Sequence, residues 1–281
     1  SGVRLRDRIA ASESVVLAEE PEATTQICTT FGQQNVAMIL VNMPSRTLPA
    51  GVTAASVQAG FAGASPYAAD TASANGFIRL ISYGQTYVTA SAYGPFTLSQ
   101  DYTCDDYDNL ATAAIAAADS TVDFSQFTRI AFIFPVSACY TYAGLGTVGC
   151  SSATSPSKGQ LTTALTWFPV SPSQSGVDVR IYAHELGHNL GLDHSKSDDF
   201  GASPIGPLGV LGTEVEYGDV FSNMGPLNGH WVSQQKVSLG WMTLGDYKEV
   251  LTPGAYTLVP FESSGLRALR VLRDASAAEW F

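Results

Sequence analysis

The chain has 281 residues, 45% of them hydrophobic and 14% charged, with a formal net charge of −11. This composition indicates a globular protein with a large core, and the acidic charge argues against a nucleic-acid partner, whose phosphates it would repel. No apolar run approaches the length of a membrane span, and the N-terminus lacks the apolar centre of a signal peptide, so we expect any secretion signal to have been removed.

The first part of the chain predicts a polar segment followed by strands and helices. Residues 1–30 are mostly acidic and polar, and we interpret them as an N-terminal linker or the remnant of a propeptide. The apolar run QNVAMILVNM, residues 34–43, predicts a buried strand because it is short and bounded by Pro44. Alanine-rich residues 50–73 predict one or two helices. The stretches FIRLISYG and QTYVTASAY, residues 77–93, predict two strands of a meander.

An acidic start and an alanine-rich body characterise DYTCDDYDNLATAAIAAAD, residues 101–119, and predict a helix. Its carboxylates at Asp105, Asp106 and Asp108 allow a calcium site. Carboxylates in the first turn of a helix also complement its dipole, which is the simpler interpretation. Calcium is therefore possible but unsupported.

Two further strands are predicted on either side of a glycine-rich loop. RIAFIFP, residues 129–135, predicts a buried strand because its apolar run is nearly continuous. LTTALTWF, residues 161–168, predicts a strand that ends at Pro169. Between them, CYTYAGLGTVGC, residues 139–150, is a loop with a cysteine at each end.

The stretch IYAHELGHNLGLDH, residues 181–194, contains three of the four histidines in the chain. His184 and His188 are four residues apart, so a helix projects both imidazoles from one face towards the same ion. Glu185 lies between them, where it cannot easily join the same tetrahedron but can hold a water bound to the metal. This is the pattern H-E-x-x-H.

Gly191 and His194 extend this pattern. Glycine adopts the left-handed conformation that ends a helix, and the chain can then return His194 to the same ion. Three nitrogen ligands and an open fourth position are typical of a catalytic zinc site. The alternative, ordinary helix histidines beside a glycine cap, is disfavoured because both residues stand at the required positions.

The motif H-E-x-x-H-x-x-G-x-x-H, followed by Met224 among Gly and Pro, resembles the signature of the metzincin zinc endopeptidases. Within that clan, HELGHNLGLDHS and YGDVFSNMG are most similar to the gametolysin-type (M11) peptidases. The resemblance covers residues 31–245 and implies an α/β catalytic domain with a twisted mixed sheet, an active-site helix and a lower subdomain with a Met-turn. It also implies that the strand at 161–168 lies at the sheet edge above the zinc cleft.

The resemblance implies a role for each residue of the site. A Zn²⁺ ion is held by His184, His188 and His194, and Glu185 is the catalytic base that takes a proton from the zinc-bound water. Met224 is structural, because its thioether packs beneath the histidines without binding the metal.

The chain after the motif predicts a lower half built from loops, since residues 195–230 show little periodicity. Tyr217 is given no catalytic role, because in tyrosine-assisted metzincins the tyrosine closely follows the methionine. His230 is interpreted as a polar structural residue, and residues 228–241 predict a closing helix. Residues 246–281 predict two or three strands of a β-rich C-terminal extension, which we expect to continue in a longer protein.

Four cysteines form an even set without a C-x-x-C pair, which excludes zinc-finger and thioredoxin interpretations. An even cysteine count and low lysine content fit a secreted enzyme with disulfides. We favour pairing of Cys139 with Cys150 and of Cys28 with Cys104, which tethers the N-terminal segment to the sheet. The alternative is that Cys28 occupies the fourth position of the zinc, as a cysteine switch does in some metzincins.

We predict a secreted zinc endopeptidase that hydrolyses peptide bonds of extended protein substrates. A second hypothesis is a non-catalytic adhesion or carbohydrate-binding module on a zinc-protease fold, and a third is a zinc hydrolase of non-peptide substrates. Glu185 argues against the second, because a non-catalytic site gains nothing obvious from a water-activating carboxylate. The sequence contains no G-x-S-x-G elbow and no nucleotide-binding fingerprint. Substrate preference and oligomeric state are left open.

Overall fold

The computed structural model describes residues 28–63, 72–103, 105–136, 142–226, 229–274 and 279–280. Predictions about residues 1–27, Cys104 and Cys139 lie outside these ranges. The strands are β1 (Gly32–Asn42), β2 (Thr86–Thr97), β3 (Arg129–Pro135), β4 (Leu145–Gly146), β5 (Ser151–Ser155), β6 (Gly159–Val170), β7 (Ser197–Asp199), β8 (Thr213–Val215), β9 (Tyr247–Val250), β10 (Ala268–Asp274) and β11 (Glu279–Trp280). The helices are α1 (Ala54–Ala62), α2 (Ala74–Ile81), α3 (Tyr107–Ala118), α4 (Val179–Asn189) and α5 (Ser233–Ser238).

A mixed sheet runs in the order β2-β1-β3-β6-β4, with β5 also paired to β6. Strands β2, β1, β3 and β6 are parallel, whereas β4 and β5 run antiparallel to β6. The predicted α/β class is therefore confirmed, as are the buried strands at 34–43 and 129–135. Side chains of β1 alternate between two cores. Met38 packs with α1, α2 and α4 on one face, and Ile39 packs with α3 on the other.

The prediction of a strand at FIRLISYG is wrong, because residues 77–81 lie in helix α2 and residues 82–84 form the turn after it. The Ser73 hydroxyl accepts a hydrogen bond from the Gly76 amide at 3.0 Å and so caps the first turn. Ile78 and Ile81, three residues apart, are both fully buried on the same helix face. The predicted meander is wrong as well, because only its second segment is a strand, and that strand, β2, pairs in parallel with β1 through a crossover connection.

The strand predicted at 161–168 forms part of β6, but its expected place at the sheet edge is wrong. A turn at residues 156–158 reverses the chain, so β5 pairs with the first half of β6. β4 pairs with the second half, at Thr166 and Trp167. With strands on both sides, β6 is an inner strand, which agrees with the nearly continuous burial of its second half. The outer strand beside α4 is β4.

Cys28 and Cys150 form a disulfide with a Cα–Cα distance of 5.7 Å, within the usual range for such a bond. The predicted pairings, Cys139 with Cys150 and Cys28 with Cys104, are therefore wrong. Folding brings the segment before β1 to the loop before β5, although 122 residues separate the two cysteines, and sequence spacing does not reveal such proximity. The cysteine-switch alternative also fails, because the sulfur of Cys28 is bonded to that of Cys150.

The end of the chain is β-rich as predicted, with β10 between β9 and β11. β9 and β10 are parallel, so the segment between them is a connection longer than a hairpin turn. The predicted closing helix is short: α5 covers six residues, and Trp231 and Leu239 beside it are buried as expected. Within the described ranges, every helix is too short or too polar to cross a membrane.

Candidate metal centre and active-site cleft

Helix α4 is capped at both ends by residues suited to this role. The Asp178 carboxylate accepts a hydrogen bond from the Arg180 amide at 2.8 Å and caps the N-terminus. At the other end, Gly191 has a φ of 101°, and the Leu192 amide donates to the carbonyl of Gly187 at 3.0 Å. These are the features of a Schellman cap, which turns the chain back sharply after the last helical turn.

That reversal brings a third imidazole to the two carried by the helix. One nitrogen from each of His184, His188 and His194 lies within 4.8 Å of the others. Ligand nitrogens around a tetrahedral zinc ion, each about 2.0 Å from the metal, lie roughly 3.3 Å apart, so small ring movements suffice for one ion. The cluster was predicted from the spacing, and the structure brings its three members together.

Hydrogen bonds to protein oxygens fix the orientation of each ring. The Nδ1–H groups of His184 and His188 donate to the carbonyls of Asn223 and Leu192, at 2.7 and 2.8 Å. Nδ1 of His194 lies 2.5 Å from Oε1 of Glu216. Because carbonyl and carboxylate oxygens accept, the Nδ1 atoms carry protons and the Nε2 lone pairs are left for a metal. The donor set therefore fits zinc.

Burial keeps the helix imidazoles in the form that binds metal. It lowers the pKa of His184 to about 4 and lowers the pKa of His188 from its ordinary value. A neutral imidazole offers its lone pair to a metal without first losing a proton.

Glu185 lies beside this cluster and is almost fully buried. Burial raises the pKa of its carboxyl group to about 8. The segment before and within β4 passes directly over it: a Cβ at Gly144 would lie 2.5 Å from the Glu185 Oε1 atom, and one at Gly146 would lie 2.9 Å from the backbone oxygen of Glu185. Only glycines allow this approach. The sequence identified a glycine-rich loop here but not its contact with Glu185.

Met224 is completely buried in a turn that closes with a hydrogen bond from Gly225 to Ser222 at 3.0 Å. Its sulfur packs against α4 at Gly187, where an added Cβ would overlap it. The Met224 carbonyl accepts a hydrogen bond from the Ser195 amide at 2.9 Å, next to His194. The turn that holds Met224 therefore contacts both α4 and the loop that carries His194.

Gln235 of α5 connects the turn that holds Met224 to the loop after His194. Its amide oxygen accepts from the Ser222 hydroxyl at 2.8 Å and from the Val232 amide at 2.9 Å. Its amide nitrogen donates to the Ser195 hydroxyl at 2.7 Å. No spacing in the sequence linked Gln235 to the motif.

A cleft of about 890 Å³ contains all three imidazoles and Glu185. Residues of the β4 segment and of α5 also line this cleft. Tyr217 lines the cleft with its ring centroid 3.9 Å from that of His194, at an uncommon φ of 58° for a residue other than glycine. Sequence reasoning missed Glu216, which is 22 residues from its histidine partner and belongs to no motif.

The sequence model of the family described as Metallo-peptidase family M12 matches residues 52–219, more than half of the chain. No curated protein matches. Among solved structures, one described as "Structure of a chaperone-substrate complex" is 17% identical with a TM-score of 0.32. That match covers 72% of this chain and 29% of the other, so the chain spans less than a third of the length of that protein.

Proposed function

The chain belongs to metallo-peptidase family M12, and from this premise we propose that it is a zinc endopeptidase that cleaves extended protein substrates. The observation that carries the proposal is the convergence of three imidazoles beside one buried carboxylate in an open cleft. The matched residues 52–219 include all four of these side chains.

Each side chain has a distinct task in this proposal. His184, His188 and His194 would hold the ion, which would supply the Lewis acidity that polarises a carbonyl and acidifies water. The positive charge of a bound ion would favour the carboxylate form of Glu185 against its burial, so that Glu185 accepts the proton of the attacking water and passes it to the departing amine. Its neighbours support this role, because Gly144 and Gly146 shield the carboxylate while leaving the cleft open.

The geometry of the β4 segment supports an extended substrate. Among the described residues, β4 is the last strand at its end of the sheet, and it lies beside Glu185. A peptide can pair with such an edge through main-chain hydrogen bonds, which requires an unfolded or looped substrate. The glycines in and before β4 leave space for that backbone.

Finer parts of the proposal rest on the sequence and on individual contacts. We propose that the chain is a metzincin whose stretches HELGHNLGLDHS and YGDVFSNMG are similar to those of the gametolysin-type (M11) peptidases, and that Met224, which packs against α4, forms the Met-turn. Secretion is supported by the Cys28–Cys150 disulfide, since disulfides persist in oxidising compartments. We also propose a catalytic domain over residues 31–245 and a β-rich extension over 246–281.

Incubation with an unfolded protein such as casein tests the proposal. We expect internal cleavage, found by mass spectrometry of new termini, to stop after chelation and return when zinc is added. A folded protein serves as the matched substrate and should be cleaved far more slowly than its denatured form. Zinc-dependent hydrolysis of an ester or amide without any new peptide termini would instead support a non-peptide hydrolase. Zinc binding without hydrolysis would support a binding module.

A further inference from the structure

The three imidazoles of the metal cluster differ in what holds them. His184 and His188 are carried by α4 and donate to backbone carbonyls, which no side-chain substitution removes. His194 stands on irregular backbone and donates to the side chain of Glu216. Its ring packs against the Tyr217 ring at a centroid distance of 3.9 Å, but its Nδ1 hydrogen bond goes to Glu216. The hydrogen bond that orients the third imidazole therefore depends on one carboxylate.

Lys196 holds this carboxylate in place. Its ammonium group lies 3.1 Å from the second oxygen of Glu216 and 2.8 Å from Glu214. The two glutamates flank the end of β8, which pairs with β7 just after Lys196. The hairpin thus carries Glu216 to His194 with one carboxylate oxygen facing the imidazole and the other facing the lysine.

We propose that Glu216 is a positioning residue for the zinc site, which fixes the His194 ring with Nε2 towards the metal and makes that nitrogen a stronger ligand. The inference rests on the proposed function, because it presupposes that the cluster binds zinc. A carboxylate that accepts the Nδ1–H of a ligating imidazole sets the tautomer and raises ligand basicity. Loss of such a partner typically weakens metal binding about 10- to 100-fold.

Glu214 provides a matched control. It shares the hairpin, the charge and the lysine partner with Glu216, but its carboxylate has no histidine contact among the described residues. Both glutamates are substantially exposed, so neither supports the core. A purely structural role of the hairpin would make the two substitutions equivalent.

Zinc affinity, measured by competition with a chelator of known affinity, tests the inference. Glu216→Ala should raise the zinc Kd about tenfold, the lower end of the range because the carboxylate is partly exposed. Glu216→Gln should have a smaller effect, since an amide oxygen still accepts from Nδ1–H. Glu214→Ala should leave the Kd unchanged, and the metal-free variants should unfold at the same temperature.

Cobalt substitution gives a second readout, because the visible absorption of bound Co²⁺ reports the ligand geometry. We expect the spectrum to change in Glu216→Ala and to match the wild type in Glu214→Ala. Equal Kd values and spectra for the two alanine variants would overturn the inference, while leaving a zinc peptidase intact. A wild-type chain that takes up no zinc would overturn the proposed function itself.

Discussion

Helix α4 and residues 192–224 supply ligands to the same candidate site but hold them by different means. On α4, helical geometry sets the spacing of His184 and His188, and the backbone carbonyls of Leu192 and Asn223, in the second region, orient both rings. In the second region, His194 follows a tight reversal and is oriented by Glu216. Backbone bonds tolerate most substitutions, whereas side-chain bonds require particular residues. Regular helical structure therefore positions the ligands of the first region, whereas an individual side-chain contact positions the ligand of the second.

The largest effect is expected for a ligand on the helix. His188→Ala should abolish both zinc binding and hydrolysis, because two remaining imidazoles do not complete a stable site. Metal analysis after dialysis and cleavage of an unfolded protein check this. His230→Ala is the matched control, since His230 pairs with Glu262 at 3.1 Å, away from the cluster. Retention of stoichiometric zinc by His188→Ala would contradict the ligand assignment.

Contact between the two regions is tested by Gly187→Ala. The added methyl group would overlap the sulfur of Met224 and lie 2.9 Å from the Trp231 ring, so the helix or the turn must move. Overpacking of this kind costs about 1–3 kcal/mol, and we expect activity to fall with it. Gly176→Ala is the control, because its Cβ would meet no atom within 4 Å. Equal denaturant midpoints for the two variants would mean that Met224 does not support α4.

Gln235→Ala removes the side-chain contacts that tie α5 to the second region. It leaves the Ser222 hydroxyl and the Val232 amide without their acceptor, and the Ser195 hydroxyl without its donor. We expect a loss of about 1–2 kcal/mol in the free energy of unfolding. Gln234→Ala, at the exposed neighbouring position, should cost much less. Similar values from chemical denaturation would show that this region needs no such individual contact.

The last effect, on the pH dependence of stability, is expected outside the site, at Lys236. Lys236 is fully buried, and burial lowers the pKa of its ammonium group to about 7. The folded chain therefore binds fewer protons than the unfolded chain between pH 7 and 10, so the free energy of unfolding should rise with pH across that window. The titratable and charged groups around Lys236 are those of Tyr83, His230, Asp246, Glu262 and Arg267.

The contribution of Lys236 is isolated by comparing how steeply the free energy of unfolding rises with pH in different variants. Burial raises the pKa of Tyr83 and lowers that of His230, so both titrate outside the window. Lys236→Met should flatten the rise between pH 7 and 9 by roughly 1–2 kcal/mol, whereas Lys248→Met, at an exposed position, should not. Identical slopes for the wild type and Lys236→Met would contradict the assigned proton loss.

The same division between regions explains which features the sequence could predict. The spacing of His184, His188, Gly191 and His194 reflects the period of a helix and its cap, so these positions were predictable. Glu216 was not, because it lies on an exposed, charged hairpin that resembles any solvated loop. The short β4 and β5 strands were missed for a similar reason: glycine and serine give them no apolar pattern.

The errors in predicting the mixed sheet and the helices packed on it have a different physical origin. FIRLISYG contains bulky and β-branched residues that favour a strand locally, but the Ser73 cap and the buried face of α2 favour a helix. Tertiary packing therefore outweighed local propensity. The Cys28–Cys150 bond depends on long-range proximity that only the completed sheet produces.

Zinc content and hydrolysis measured together in Glu185→Ala test the central claim most directly. The claim separates metal binding, by three imidazoles, from proton transfer, by one carboxylate. Loss of a general base costs about 10²- to 10⁴-fold in rate, so hydrolysis should fall below detection while about one zinc ion per chain remains. More than a few per cent of wild-type activity in this variant, or loss of its zinc, would contradict the account.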